Sequence, residues 1–157
     1  MRKSTMTTVI GLIIVAGLGL RLAVPFISST PVAQGIVTST EGGSSLAPCP
    51  DTPNCAVDAY PVAASADDAI ETLAGIIYNQ AGTEILSQQQ NYLHATYTST
   101  IMGYIDDIEF LVSDDKTTVH VRGASRLGKS DLGVNAKRIE HLRTLFNEKL
   151  QLLDENA

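Results

Sequence analysis

Ile105-Asp106-Asp107-Ile108-Glu109-Phe110-Leu111-Val112, Ser113-Asp114-Asp115-Lys116 and Thr117-Thr118-Val119-His120-Val121-Arg122-Gly123-Ala124 follow one another, and their reading decides the fold. Two runs rich in apolar and β-branched residues flank a short polar segment, the pattern of an antiparallel hairpin. Pairing Val112 with Thr117 sets Phe110 opposite Val119 and Ile108 opposite Val121, so that face must be core. The same register sets Glu109 opposite His120 and Asp107 opposite Arg122, so complementary charges line the other face.

Moving upstream, residues 84–89 and 92–99 alternate like strands around Gln90-Asn91, which predicts a second hairpin. Before it, Ser65-Ala66-Asp67-Asp68 reads as a helix start with Ser65 as cap. Ala69, Ile70, Leu73, Ile76 and Ile77 then keep helical spacing to about Gln80, and Gly82 closes the helix. Downstream, Asn135 can cap a last helix in which Ile139, Leu142, Phe146, Leu150 and Leu153 form one apolar stripe. The expected fold class is α+β: a four-stranded antiparallel sheet with two helices packed on one face and a polar face opposite.

The chain has 157 residues, which allows one ordinary domain once its start is set aside. Met1-Arg2-Lys3 precedes an uncharged stretch, residues 4–20, with an apolar heart at 9–20; Arg21 interrupts before 22–27 resumes. This is the signal-peptide or signal-anchor pattern, and the two leading cations place the rest of the chain on the extracytoplasmic, periplasmic or cell-surface side. The best cleavage position, ending at Ser29, has Ile27 in the third-last place, where a small residue is needed. We therefore read residues 1–27 as a retained transmembrane anchor, with secretion into the periplasm as the outcome if it is cut. Arg21 can snorkel near the outer end of a tilted helix. A buried globular helix is the competing reading, but the segment has no polar face. Residues 28–45, rich in Ser, Thr, Gly and Pro, read as a flexible linker, and residues 46–157 as the single folded domain.

The net charge is −6, and Arg2, Lys3 and Arg21 all lie in the leader, so the domain is more acidic still. That argues against non-specific nucleic-acid binding. Few aromatics and no Trp leave no stacking platform for bases or sugars. Leu46-Ala47-Pro48-Cys49 looks like a lipobox, but Pro48 stands where a small residue is required and the apolar run lies far upstream. Cys49 and Cys55 instead flank Pro50-Asp51-Thr52-Pro53-Asn54, a turn-forming stretch, and in an oxidising compartment read as a disulfide. A metal or redox pair would need further ligands or a C-x-x-C spacing.

Three stretches together resemble the bacterial and plastid domain-of-unknown-function 1499 family. They are Leu46-Ala47-Pro48-Cys49-Pro50-Asp51-Thr52-Pro53-Asn54-Cys55, then Tyr104-Ile105-Asp106-Asp107-Ile108-Glu109-Phe110, and the long run from Val121-Arg122-Gly123-Ala124-Ser125-Arg126 to Ala136-Lys137-Arg138-Ile139. The resemblance spans residue 46 to about 145 and implies an envelope-associated domain, often behind an anchor or signal, with no established reaction.

Two surfaces stand out as candidate sites. Arg126-Leu127-Gly128-Lys129-Ser130-Asp131-Leu132-Gly133-Val134-Asn135 joins the last strand to the last helix, with glycines that permit unusual backbone angles. Lys137 and Arg138 fall in that helix's first turn, where the macrodipole disfavours cations, so something must offset them. A bound anion held by helix N–H groups with Arg126, Lys129 and Arg138 would do so. Internal pairing with Asp106, Asp107, Asp131 or Glu109 would too, and those acids are local and abundant. The Gly-x-x-x-x-Gly-Lys phosphate-loop pattern is absent.

The second surface is the polar sheet face, where His94 shares a side with Tyr92, Thr96 and Thr98, and Asp107, Glu109, His120 and Arg122 line the neighbouring hairpin. Two histidines and a carboxylate suit a metal, but a solvated face or partner surface is the plainer reading, and we expect no metal or cofactor. Ser99, Ser125 and Ser130 lack a nucleophile-elbow context, and His141 reads as surface. The function expected is a non-catalytic domain that binds another envelope protein or a small anionic ligand, through Asp106, Asp107, Arg122, Arg126, Lys129, Ser130, Asp131, Asn135 and Arg138. The alternative is a hydrolase using Asp106, Asp107, Arg126 and Asp131. A third reading makes the whole motif a conformational lock.

Overall fold

The structure is a computed structural model that describes residues 36–38, 44–62 and 68–155. The leader, most of the linker and the proposed Ser65 cap lie outside these residues. No helix among the described residues is long and apolar enough to cross a membrane.

The described residues form, in chain order, β1 (Ile36–Thr38), β2 (Ser44–Leu46), β3 (Cys55–Pro61), α1 (Ala69–Tyr78), β4 (Thr83–Gln88), β5 (Tyr92–Thr98), β6 (Ile105–Val112), β7 (Thr118–Ser125) and α2 (Val134–Asp154). β1 and β2 pair antiparallel as a small hairpin at the end of the stretch read as linker. The main sheet is antiparallel with five strands, not four, in the order β3-β7-β6-β5-β4. β4 to β7 form a meander, and α1 carries the chain from β3 at one edge to β4 at the other.

The additional strand, β3, is disguised by its composition. Ala56, Asp58 and Tyr60 face the helices, but only Tyr60 is fully buried, and Asp58 points inward because Arg143 of α2 pairs with it. Pro61 ends the strand, as an edge strand tolerates.

The hairpin register also differs from the expected one, by two residues. Val112 lies opposite Val119, Phe110 opposite Val121 and Ile108 opposite Gly123. The turn takes one more pair of residues than the sequence suggested. Ser113 N–H donates to Thr118 O at 2.8 Å, and Asp115 accepts from Ser113 Oγ, Thr117 N–H and Thr117 Oγ1 inside the turn. A two-residue slip keeps every side chain on its face. It changes the ionic partners: Glu109 meets Arg122, not His120, and Asp107 lies opposite Ala124.

On the helix face the core is apolar. Ile108, Phe110, Val119, Val121, Leu93 and Ala95 of the sheet are buried beneath Ile70, Leu73 and Ile77 of α1 and Ile139, Leu142 and Phe146 of α2. Each large side chain so buried contributes about 1.5–3 kcal/mol. Tyr60 lies between Phe110 and Phe146, with ring centroids 6.5 and 6.1 Å away, and its hydroxyl donates to Ile139 O at 2.6 Å. Gly123 lets α2 come close, since a Cβ there would stand 3.1 Å from Asn135 Oδ1. The apolar stripe of α2 is buried as far as Phe146, whereas Leu153 is half exposed.

The centre of the opposite face is not solvated, contrary to expectation, whereas His120 and the β3 edge at Val57 are exposed. β2 packs against β6 and β7, which already have strand neighbours on both sides, while the helices hold the other face. Ala47, which follows β2, is buried.

Candidate functional site

Every second residue of β5, β6 and β7 points to the face under β2, and the register aligns His94, Glu109 and Arg122 in one row across three strands. Asp107, Glu109 and Arg122 are 1, 0 and 2 % exposed. Charges so deep persist only when paired and hydrogen-bonded. Arg122 NH1 donates to Glu109 Oε2 at 3.0 Å, and the Tyr92 hydroxyl donates to Glu109 Oε1 at 2.7 Å. Burial and that bond to Glu109 push the Tyr92 phenol well above its ordinary pKa, so it stays a donor. Arg122 Nε is also buried and has no partner among the described residues.

One turn of the pleat away, Arg126 grips Asp107 with two bonds, Nε to Oδ2 at 2.8 Å and NH2 to Oδ1 at 2.9 Å. His94 Nε2 lies 2.8 Å from the same Oδ1. Burial drives the Asp107 carboxyl upward, but the bonds from Arg126 and His94 outweigh it and hold it below the usual carboxylate range. The same fork raises Arg126. Such bidentate pairs fix orientation as well as charge.

The loop after β7 is built on this anchor. Gly128 and Gly133 take left-handed angles, φ 88° and 79°, and so does Leu132 at φ 57°. Asn135 does not cap α2, as the sequence suggested; it lies inside the first turn and is buried. Asp131 takes the capping role, accepting from Gly133 N–H at 2.9 Å and Asn135 N–H at 2.8 Å. Burial raises the Asp131 carboxyl, yet the N–H bonds from Asn135 and Gly133 prevail and lower it. A carboxylate at this position also complements the helix dipole. Arg138 finds Asp106 at 3.0 Å, donates to Asn135 Oδ1 at 2.7 Å and stacks over Tyr97 at 4.3 Å. Arg138 at the start of α2 is therefore offset from within the protein, while Lys137 is exposed.

Cys49 and Cys55 form a disulfide with a Cα separation of 5.6 Å, as the sequence suggested. The loop they close presents Asn54, a residue the sequence reading overlooked. Its side-chain amide donates to Gly128 O at 2.8 Å, and its carbonyl accepts from Ser125 N–H at 3.0 Å and Asn135 Nδ2 at 3.2 Å. One buried asparagine thus ties disulfide loop, motif loop and helix start together. Its place beside Cys55 was the only signal available.

The nine residues singled out from sequence do not share a pocket. Asp107, Arg122 and Arg126 lie on the β2 side of the sheet, Asp106 and Arg138 on the helix side, and Asp131 and Asn135 beneath the start of α2. Lys129 and Ser130 are exposed. His94 and His120 sit on β5 and β7 with β6 between them, and no cluster of three or more metal-ligating side chains occurs among the described residues.

No curated protein and no solved structure matches the chain. A family model described as "protein of unknown function (DUF1499)" matches residues 45–146. With the disulfide loop, the whole five-stranded sheet and α2 as far as Phe146 inside that span, the chain belongs to the DUF1499 family.

Proposed function

We propose that this protein is tethered to a membrane by residues 1–27 on the extracytoplasmic side, and that its domain is a non-catalytic interaction module for another envelope protein. The cationic, then apolar, leader supports the tether, and the Cys49–Cys55 disulfide suits an oxidising compartment.

The observation that carries the interaction reading is Leu132. It is 88 % exposed and held in a left-handed conformation that costs an ordinary side chain about 1–2 kcal/mol. An apolar side chain held outward at such a cost needs a use. The β5–β6 loop reaches the same end of the sheet and exposes Ile101 (80 %), Met102 and Tyr104. Arg126 N–H donates to Ile105 O at 3.0 Å, which binds the two loops at their roots. The buried pairs behind them serve as a rigid mount.

A hydrolase using Asp106, Asp107, Arg126 and Asp131 would need these groups around one cleft. Asp106 and Asp107 point to opposite faces, and Asp131 is occupied with helix N–H groups. The small-anion reading is weakened too, because Arg126 and Arg138 each meet a carboxylate.

Full-length protein purified from its own membranes with Leu132→Asp and Ile101→Asp tests the proposal. The expected result is loss of a co-purifying envelope protein with unchanged melting temperature. Recovery of the same proteins with both variants, or of the chain in the soluble cytoplasmic fraction, defeats it.

A further inference from the structure

A second surface lies between the two helices. α1 and α2 diverge to leave an open groove whose floor is Ile76, Leu145, Leu152 and Leu153. The last two belong to the final turns of α2, and each is 52 % exposed. The apolar stripe of that helix therefore runs on past the core it serves.

Gly75 sits in the wall of the groove in mid-helix, where glycine costs about 1 kcal/mol relative to alanine. Its local backbone does not need glycine: its φ is not positive, and a Cβ there would meet nothing within 4 Å. What the missing side chain leaves is room. The rims carry Asp68 just before α1, Glu71 from α1 and Glu148 from α2 against one cation, Lys149. At the far end of α1, Gln80 lines the groove and holds a buried amide nitrogen without a partner among the described residues.

We propose that this groove receives an amphipathic helix of a partner protein, one whose apolar stripe is flanked by lysine or arginine. α1 is ten residues long, so it offers a bed of about 15 Å, enough for about three turns of a docked helix. Apolar anchors at i, i+3, i+4 and i+7 would lie over Ile76, Leu145 and the leucine pair, the usual helix-in-groove arrangement. The excess of acids on the rims selects a basic partner, and it opposes a second copy of this acidic chain.

The test uses the full chain in detergent and two fluorescent helical peptides of about 14 residues, each with the same leucine stripe, one flanked by lysines and the other by glutamates. Fluorescence anisotropy should show the lysine peptide binding at least about ten-fold more tightly, the preference shrinking as salt is raised. Gly75→Leu fills the groove while improving helix propensity. It should abolish binding with the melting temperature unchanged or higher, and Glu71→Lys should reduce the preference. Equal affinity for the two peptides overturns the proposal, as does undiminished binding to the Gly75→Leu protein. A concentration-dependent dimer that Gly75→Leu dissociates would overturn it in favour of a second copy.

Discussion

The centres of the sheet's two faces are buried to a similar depth by opposite chemistry. Under α1 and α2 lie Phe110, Phe146, Tyr60 and a set of aliphatic side chains; under β2 lie Asp107, Glu109, Arg122 and Tyr92. The apolar face is stabilised by removal from water, a non-directional effect that tolerates repacking. The ionic face must first overcome the desolvation of its charges and depends on each bond being made. The first face holds the domain together. The second fixes where one strand end and one loop must be.

This contrast is open to attack by mutation. Arg122→Leu alone leaves Glu109 buried and unpaired, and should cost about 3–5 kcal/mol in denaturant unfolding. Adding Glu109→Leu should restore most of that. Phe146→Ala should cost a similar amount, but shrinking Phe110, on the other side of Tyr60, as well should deepen the loss. If the ionic double variant fares no better than the single one, the two faces do not differ as described.

Removing the disulfide by Cys49→Ser and Cys55→Ser should lose about 2 kcal/mol on the chain-entropy account. Hydrogen exchange should rise first around Gly128 and Asn135, which Asn54 holds. Uniform change across the sheet would show that the loop acts only through global stability.

Acid should weaken the ionic face and the cap of α2 selectively. Asp107 and Asp131 both have folded-state pKa values below the ordinary one. Their contribution is complete above the unfolded value, about 4, and is lost as pH falls through the lower folded values. Wild-type stability should therefore drop more steeply below about pH 4 than that of an Asp107→Asn, Asp131→Asn variant. Parallel curves would mean these carboxylates carry no such linkage. Asp131→Ala alone should cost about 1 kcal/mol, as loss of a helix cap does.

The smallest expected effect has the opposite sign. Leu132→Gly should stabilise the protein by up to about 1 kcal/mol, since it relieves a left-handed backbone and removes no buried surface. A loss instead would make Leu132 part of the packing and not of a contact surface.

The apolar face was legible because alternation at Ile108, Phe110, Val119 and Val121 and the stripe at Ile139, Leu142 and Phe146 obey strand and helix periods. The ionic face produces the same alternation, but polar residues at every second position ordinarily mean water. Only the position of β2 reverses that meaning, and nothing local reports it. β3 is hard to see in the sequence because its inward residues include Asp58, whose partner Arg143 lies 85 positions away. The segment from Arg126 to Arg138 stands out as unusual, and its composition suggests internal pairing, yet the division of labour within it is not written locally. Asp131 rather than Asn135 caps the helix, because Gly133 turns left-handed and aims the preceding carboxylate at the N–H groups.

The disulfide has a mechanical meaning as well. Tension reaching Cys49 from the N-terminal side passes through sulfur to Cys55 and enters β3, whose antiparallel pairing with β7 then bears it. Residues 50–54 are bypassed and carry no load. Asn54 can keep its grip on Gly128 and Asn135 while the chain in front of it is pulled, so such a pull is borne by the sheet and spares the loop that presents Leu132.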